Sequence, residues 1–208
     1  MKKGIIKKTV MLGLGLVLAA GLVGCSGQNE DKKASDTNSK KEIVMGLDNT
    51  FVPMGFLNDK NELEGFDIDL AKEAFKRAGY TVKFQNIDWS MKEQALDNGN
   101  VDCLWNGYSI TEERKARVAF SKPYFDNKQI AITMSTESPT KLADLKDQVV
   151  GTQAASSALE AIEANKEFIG MIKDQKPVTY DTYDKALRDL EIGRIKAVVG
   201  DEIGRAHV

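Results

Sequence analysis

The sequence predicts an α/β fold of two similar lobes with mostly parallel sheets. Strand patterns alternate with helix patterns along the chain, and such alternation is typical of parallel sheets. The second half also repeats an arrangement of the first, residues 95–105 against residues 189–199. Finally, the 208 residues leave enough chain after an N-terminal leader for two small lobes.

The first half contains two predicted helices and three predicted strands. Apolar side chains recur at helical spacing from Phe66 to Ala78, and Gly79 marks the end of this helix. A second, short helix begins at a capping box over residues 90–93 and ends at Gly99. The strands are predicted at residues 43–47, 80–84 and 101–105.

The second half follows the same order of elements. Residues 95–105 align without a gap with residues 189–199, and each stretch has the pattern of a helix end, a glycine and a buried strand. Chance is the alternative, because glycine commonly follows a helix. We predict a first lobe at residues 41–132 and a second lobe at residues 133–208. Further predictions are a strand at 149–151, a helix start at Ser156 and Ser157, and a crossing between the lobes at 129–134.

The N-terminus has the pattern of an export signal over residues 1–24. Lysines precede an apolar run at residues 10–24, which is too short to span a bilayer comfortably. Cys25 follows small residues and resembles the lipid-attachment site of bacterial lipoproteins, so we expect a lipid anchor there. The alternative is an ordinary secreted protein with a stray cysteine. Residues 25–40 are almost all polar and predict a flexible linker.

Composition excludes several classes of function. The whole chain has 29 basic and 31 acidic residues, and removal of the leader leaves 25 basic ones, so no basic patch favours nucleic acid. Besides Cys25 only Cys103 is present, which leaves no intrachain disulfide. His207 is the single histidine. No metal-ligand spacing, nucleophile elbow or phosphate loop occurs, so we expect no cofactor, no metal and no catalytic residue.

Open parallel sheets bind ligands beyond the carboxyl ends of their strands. This rule selects polar residues from both halves, which could face one cleft. They are Asp48, Asn106 with Gly107, residues 153–157, and Gly200 with Asp201.

Arg114 is a candidate anion site. It lies near the start of a predicted helix with Thr111 as N-cap, where a cation opposes the helix dipole unless an anion binds beside it. The alternative is a surface salt bridge to Glu112 or Glu113. Ser157 begins a second capping box with Glu160. The free backbone amides near Ser156 and Ser157 form a second small anion site, or the motif is a helix cap without a ligand.

Acidic and aromatic residues complete the candidate site. Asp48 and Asp201 follow buried strands, where a carboxylate can bind an ammonium, although each could equally be a turn residue. Phe51 and Trp89 lie in neighbouring loops. A flat ring there can cover an aliphatic stem or a cation, or it can simply be packed.

Several ordered motifs resemble those of the amino-acid-binding proteins of ABC importers, over residues 41–202. The motifs are LDNTFVPM (47–54), GFDIDL (65–70), DWS (88–90), NGYSITEER (106–114) and FSKPY (120–124). The resemblance implies the two-lobed type II periplasmic binding protein fold. It further implies an extracytoplasmic, monomeric protein that delivers a polar amino acid to a membrane permease.

The resemblance also implies roles for individual residues. Arg114 would pair with the α-carboxylate of the ligand, helped by Ser109 and by the amides of Ser156 and Ser157. Asp201 and the Gly107 carbonyl would hold the α-ammonium. The ligand side chain would lie between Phe51 and Trp89 and would be read by Asp48 and Gln153.

Two departures from the family pattern limit these expectations. Members of the family continue beyond the point where this sequence ends, so we expect a second lobe that lacks the return to the first. Gln153 stands where some members have a lysine, which disfavours the amide or acid ligand of those members.

Two further classes of function stay open, a dehydratase or hydrolase on the same fold and a ligand-sensing receptor. Because no long apolar run follows Cys25, a fused membrane sensor is disfavoured.

Overall fold

A computed structural model of the chain describes residues 42–136 and 139–207. The predicted signal peptide, the lipidation site Cys25 and the linker at residues 25–40 lie outside the described residues. The strands are β1 Glu42–Leu47, β2 Thr50–Phe51, β3 Gly55–Leu57, β4 Leu63–Glu64, β5 Thr81–Asn86, β6 Cys103–Leu104, β7 Gln129–Ile132, β8 Val150–Gln153, β9 Val178–Tyr180 and β10 Ala197–Asp201. The α-helices are α1 Phe66–Arg77, α2 Lys92–Asp97, α3 Glu112–Lys115, α4 Ser157–Ala164, α5 Lys166–Met171 and α6 Tyr183–Glu191.

The strands form two main sheets and one small one. The first sheet has the order β5-β1-β6 and is parallel, and the second has the order β7-β10-β8-β9, in which only β7 is antiparallel. A small antiparallel sheet, β2-β3-β4, lies between β1 and α1 in the sequence. The prediction of an α/β fold with mostly parallel sheets is therefore confirmed. We call the first sheet with α1 to α3 the first lobe, and the second sheet with α4 to α6 the second lobe.

The predicted boundary between the lobes stays a prediction. The run at 129–134, expected as the crossing, contributes strand β7 to the edge of the second sheet, where it pairs with β10. All described residues belong to one compact unit. Contacts between the two lobes are therefore contacts within a single body.

The internal repeat appears in the backbone hydrogen bonds. After α2, the amides of Asn100 and Val101 donate to the carbonyl of Ala95, over 2.9 and 3.2 Å. After α6, the amides of Arg194 and Ile195 donate in the same way to the carbonyl of Asp189, over 2.9 and 3.3 Å. In both places a left-handed glycine reverses the chain, Gly99 at φ 70° and Gly193 at φ 73°.

Apolar cores lie against both main sheets, and one of them is shared, since Phe51 and Met54 of the first half pack with α6 and β10. Met45, Leu47, Ile68 and Ala71 join β1 to α1 in the first lobe. In the second lobe, side chains of β8 and β10 pack on α4 and α5 on one face and on α6 on the other. These layers fix the strand ends, from which the loops of the site project.

Two predicted capping boxes are wrong, although the predicted helix start at Ser156 and Ser157 is confirmed. The capping box at Ser90 is replaced by Asp88, whose carboxylate accepts from the Ser90 amide at the start of a 3-10 turn, Trp89–Met91. At the second predicted box the N-cap is Ser156, one residue before the predicted Ser157. Ser156 has the extended backbone that a cap requires, while Ser157 is already helical. The predicted cap at Thr111 is confirmed, since its hydroxyl accepts from the Arg114 amide.

Candidate functional site

The carboxyl ends of β1, β6, β8 and β10 meet in one small cleft between the two lobes. Its enclosed space is about 10 Å³, roughly the room of a single water molecule. Side chains from the two lobes therefore contact each other directly. The lining residues are Phe51, Trp89, Asn106, Gly107, Arg114, Gln153, Ser156, Ser157, Tyr183 and Asp201.

The structure brings all ten predicted site residues together. Eight of them line the cleft. Asp48 reaches it through a hydrogen bond from Gln153. Ser109 lies next to it, since its hydroxyl is 3.3 Å from the Ser157 hydroxyl, and it lines a neighbouring cavity of about 570 Å³. Their roles with a ligand stay predictions.

Arg114 is buried, with only 3% of its surface exposed. Its guanidinium donates from Nη1 to the Ser109 carbonyl over 3.1 Å and from Nη2 to the Ala155 carbonyl over 3.2 Å. It also pairs with Glu160 Oε1 of the second lobe over 2.9 Å. The guanidinium therefore joins the two lobes at the base of the cleft.

The alternative of a surface salt bridge at Arg114 is wrong. Glu112 pairs with Lys115 and Glu113 pairs with Arg117, each within or just beyond α3. These pairs are exposed, and pairs of this kind contribute little to stability.

Asp201, at the end of β10, is a buried carboxylate surrounded by neutral donors. Its Oδ1 accepts from the side-chain Nε2 of Gln129 over 2.7 Å and from the Ser157 hydroxyl over 3.4 Å. It also accepts from the side-chain Nδ2 of Asn127. Burial raises the pKa of Asp201, although these hydrogen bonds and the charge of Arg114 offset part of the effect. Such a group gains from a nearby cation, because the cation stabilises the ionised form.

Asp48 occupies the corresponding end of β1. Its Oδ1 accepts from the amide and the hydroxyl of Thr50 over 2.9 and 2.6 Å, and its Oδ2 accepts from Gln153 Nε2 over 2.8 Å. Its own amide donates to Asn106 Oδ1 over 3.1 Å. Every donor that the structure describes for this carboxylate is neutral. The negative charge of Asp48 is thus hydrogen-bonded but not balanced by a described cation.

The two predicted aromatic residues line the cleft and pack against different neighbours. The Phe51 ring lies 5.8 Å from the Tyr183 ring, and a Cβ atom at Gly107 would approach Phe51 Cε1 to 3.1 Å. The Trp89 ring stands edge-on to Tyr108 at 5.6 Å. Both rings are packed and also line the cleft, so the structure is compatible with either of the two predicted roles.

Asp67, at the start of α1, holds the loop that carries Gly107. Its Oδ2 accepts from the Gly107 amide and its Oδ1 from the Tyr124 hydroxyl, each over 2.8 Å. Burial raises the pKa of Asp67 above the ordinary 3.8, and the two hydrogen bonds offset only part of this rise. A fully buried carboxylate thus ties the cleft to the segment that leads to the second sheet.

Sequence reasoning did not select several residues of the site. Tyr183 begins α6 and reaches the cleft only through tertiary packing, so no local pattern indicates it. Asn106 was predicted to face the cleft but was given no role with the ligand, and Glu160 was noted only as a capping residue. Among the described residues, no group of histidine, cysteine, aspartate or glutamate side chains could hold a metal ion. No helix in the described part is long and apolar enough to cross a membrane.

Two α/β lobes with a polar cleft at the carboxyl ends of their strands define a two-lobed ligand-binding protein. The model of the bacterial extracellular solute-binding proteins, family 3, matches residues 43–197, and the chain belongs to this family. Its fold is that of the type II periplasmic binding proteins.

Curated relatives are named for binding amino acids. A probable histidine-binding protein of Neisseria gonorrhoeae is 27% identical, and the alignment covers 88% of this chain and 67% of the relative. ABC transporter arginine-binding protein 1 of Escherichia coli strain K12 is 31% identical over 79% of this chain and 65% of its own length. The chain thus spans about two thirds of the length of these two relatives.

Solved structures agree with the curated relatives. An ABC uptake transporter substrate binding protein from Streptococcus pneumoniae with bound histidine is 40% identical, with a TM-score of 0.79 over 82% of this chain and 70% of that one. An ancestral arginine-binding protein bound to arginine is 35% identical, with a TM-score of 0.72 over 79% and 72% of the two chains.

Proposed function

We propose that this chain is an extracytoplasmic solute-binding lipoprotein that captures a polar amino acid, specifically a cationic one, between its lobes. It delivers the amino acid to the permease of an ABC importer, acts as a monomer, and is held at the membrane by lipid on Cys25. The observation that carries the proposal is that Arg114 and Asp201 line one cleft from different lobes. A guanidinium and a carboxylate so placed match the two charged ends of an amino acid.

The charges of the cleft favour a cationic side chain. Arg114 already pairs with Glu160, whereas Asp48 and Asp201 have neutral donors as their described partners. The α-ammonium of a ligand compensates one of these carboxylates, and a positive side chain compensates the other. Buried charges are tolerated when they are paired, so a ligand with two positive groups suits this site better than an acidic one.

Binding proceeds in this proposal by closure of the two lobes. Arg114 and Ser109 of the first lobe take the α-carboxylate, and the amides of Ser156 and Ser157 in the second lobe add to the grip. Asp201 and the Gly107 carbonyl hold the ammonium. Because only the closed form makes both sets of contacts, the ligand shifts the population towards it.

The side chain of the ligand lies between Phe51 and Trp89 in the same proposal. An aromatic ring can face a cation or cover its aliphatic stem. Asp48 and Gln153, joined across the lobes, meet the end of this side chain. Their carboxylate and amide oxygens are acceptors, which again favours a donor-rich, positive group.

A thermal-shift series with the twenty common amino acids tests the proposal. L-arginine, L-lysine and L-histidine are expected to raise the melting temperature, because a ligand that binds only the folded state stabilises it. L-aspartate and L-glutamate are expected to leave it unchanged. If no amino acid shifts the melting temperature, the proposed function is wrong, and a larger shift with an acidic amino acid overturns the charge argument.

We also propose binding without turnover. One structural neighbour, 30% identical with a TM-score of 0.73, is an ancestral amino acid-binding protein described as a precursor of cyclohexadienyl dehydratase. The groups at the cleft of the present chain fit the two ends of an amino acid, and the carboxylates of Asp48 and Asp201 accept hydrogen bonds from neutral donors. Recovery of each amino acid unchanged after prolonged incubation supports binding, whereas a new product detected by mass spectrometry contradicts it.

A further inference from the structure

Lys92, the first residue of α2, is a buried cation outside the predicted set of site residues. Only 2% of its surface is exposed, which is unusual for lysine. Its Nζ donates to the Ala155 carbonyl over 2.8 Å and to the Trp89 carbonyl over 3.3 Å, and lies 3.4 Å from Glu93 Oε2. The ammonium of a first-lobe side chain thus binds the backbone of the second lobe.

Aromatic rings and charges surround the same ammonium. It lies 5.3 Å from the centre of the Trp89 ring and 5.9 Å from that of Tyr108, within the range of cation–π attraction. Burial lowers the pKa of Lys92, while the charge of Glu93 favours its protonated form. Lys92 therefore also packs against Trp89, one of the rings predicted to hold the ligand.

Ala155 has an uncommon backbone conformation. Its φ is 52°, in the left-handed region that residues with a side chain seldom adopt. Its carbonyl accepts from both Lys92 Nζ and Arg114 Nη2, over 2.8 and 3.2 Å. One neutral oxygen of the second lobe is therefore held by two cations of the first, directly before the helix cap Ser156.

We propose that Lys92 is a positioning residue that holds the turn 154–156 of the second lobe against the first lobe and so prolongs the closed, ligand-holding arrangement. The inference rests on the proposed function, because it concerns the same cleft. Lys92 and Ala155 belong to different lobes, so their hydrogen bond forms only when the lobes meet. Its loss is expected to act on dissociation of the ligand more than on association.

The experiment compares the parent chain with Lys92→Met, using L-arginine as the probe in stopped-flow fluorescence and calorimetry. Loss of a hydrogen bond to a charged group is expected to raise the dissociation rate and the Kd about tenfold. The melting temperature without amino acid is expected to fall, because Lys92→Met removes the cationic partner of Glu93 and a donor to the carbonyls of Trp89 and Ala155. The readout that a merely structural role would not produce is a faster dissociation rate with an unchanged association rate.

Lys72→Met is the matched control. Lys72 is exposed and lies above an aromatic ring, with Nζ 5.9 Å from the centre of Phe84, but its ring belongs to the same lobe. Its replacement should leave the Kd within twofold of the parent. If Lys92→Met does not fold, Lys92→Gln, which keeps a donor, replaces it in the test and should raise the Kd by about threefold relative to the parent. An unchanged Kd for Lys92→Gln would then count against the inference.

Hydrogen exchange tests the inference without any amino acid. Amides of residues 153–160 should exchange faster in Lys92→Met than in the parent or in Lys72→Met, because the turn loses its contact with the first lobe. An unchanged Kd together with unchanged exchange overturns the inference. If the parent binds no amino acid, the proposed function fails, and the exchange result alone decides on Lys92.

Discussion

Gln153 Nε2 donates to Asp48 Oδ2 over 2.8 Å, and the two residues stand at equivalent ends of the repeated strands β1 and β8. The equivalence follows from the backbone, since the Val44 carbonyl accepts from Asp102 and the Val149 carbonyl accepts from Lys196 in the same way. The two copies of the pattern therefore face each other across the cleft. A carboxylate on one side and an amide on the other make the paired ends chemically different.

Asp48→Asn is expected to change the preference of the site. Removal of one negative charge should weaken binding of L-arginine about tenfold or more, while binding of neutral L-glutamine changes less. Calorimetry with both amino acids measures the ratio of their Kd values. Asp59→Asn, an exposed aspartate in a turn, serves as the control. An unchanged ratio would show that Asp48 does not read the ligand side chain.

Arg114→Ala is expected to remove most of the affinity. A buried carboxylate left without its guanidinium partner costs about 2–5 kcal/mol, so L-arginine binding should weaken by at least about thirtyfold in calorimetry. Arg117→Ala is the matched control, because Arg117 is exposed and pairs with Glu113 beside α3. Equal affinities of the parent and Arg114→Ala would remove Arg114 from the proposed site.

Gly107→Ala is expected to disturb the cleft more than a similar change elsewhere. Gly107 has φ 59°, and an added Cβ would lie 2.9 Å from Ile203 Cδ1 and 3.1 Å from Phe51 Cε1. Gly99→Ala is the control, because its φ is 70° and nothing lies within 4 Å of the added atom. Each variant bears a backbone cost of about 1–2 kcal/mol. Only Gly107→Ala should lose further stability in urea unfolding and also bind L-arginine more weakly.

Asp67→Asn should alter how stability depends on pH. The pKa of Asp67 is raised in the folded chain, so protonation favours folding. This contribution is complete below the ordinary 3.8 and is lost as the pH rises through the raised pKa. The unfolding free energy of the parent minus that of the variant should therefore decrease as the pH rises from about 3.5 to 7.

Urea unfolding across this pH range measures the difference for Asp67→Asn. Asp69→Asn is the control, since Asp69 is exposed on the same turn of α1. An asparagine at position 67 also lacks one acceptor for the amide of Gly107 or the hydroxyl of Tyr124, which costs about 1–3 kcal/mol at every pH. A difference that grows with pH would contradict the assignment of a raised pKa.

Elements with a strong local pattern could be predicted from the sequence. The apolar run of β1 and the helical spacing of α1 were placed to within a few residues. Gly79, Gly99 and Gly193, predicted as helix stops, all have positive φ. The repeat of α2-β6 in α6-β10 was visible because the same glycine and apolar positions recur, and its backbone bonds confirm it.

Elements that depend on tertiary contact could not be predicted. The strands β2, β3 and β4 have two or three residues each, too few for any periodicity. The predicted cap of α4 was Ser157 and the observed cap is Ser156, because both serines are equally good capping residues in sequence. The approach of Lys92 to Ala155 joins residues far apart in the chain, so no local pattern indicates it.

The excess of carboxylate around the cleft has a consequence for the encounter with solute. Because Arg114 and Lys92 each pair with a glutamate, we expect Asp48 and Asp201 to leave the cleft with a net negative charge. The negative potential of such a charge attracts small cations and repels anions before any contact forms. Added salt shortens the reach of this potential to about 8 Å at physiological ionic strength. Association of a cationic ligand is therefore expected to be faster at low ionic strength than at high ionic strength. Discrimination between cationic and anionic solutes would begin before they reach the cleft.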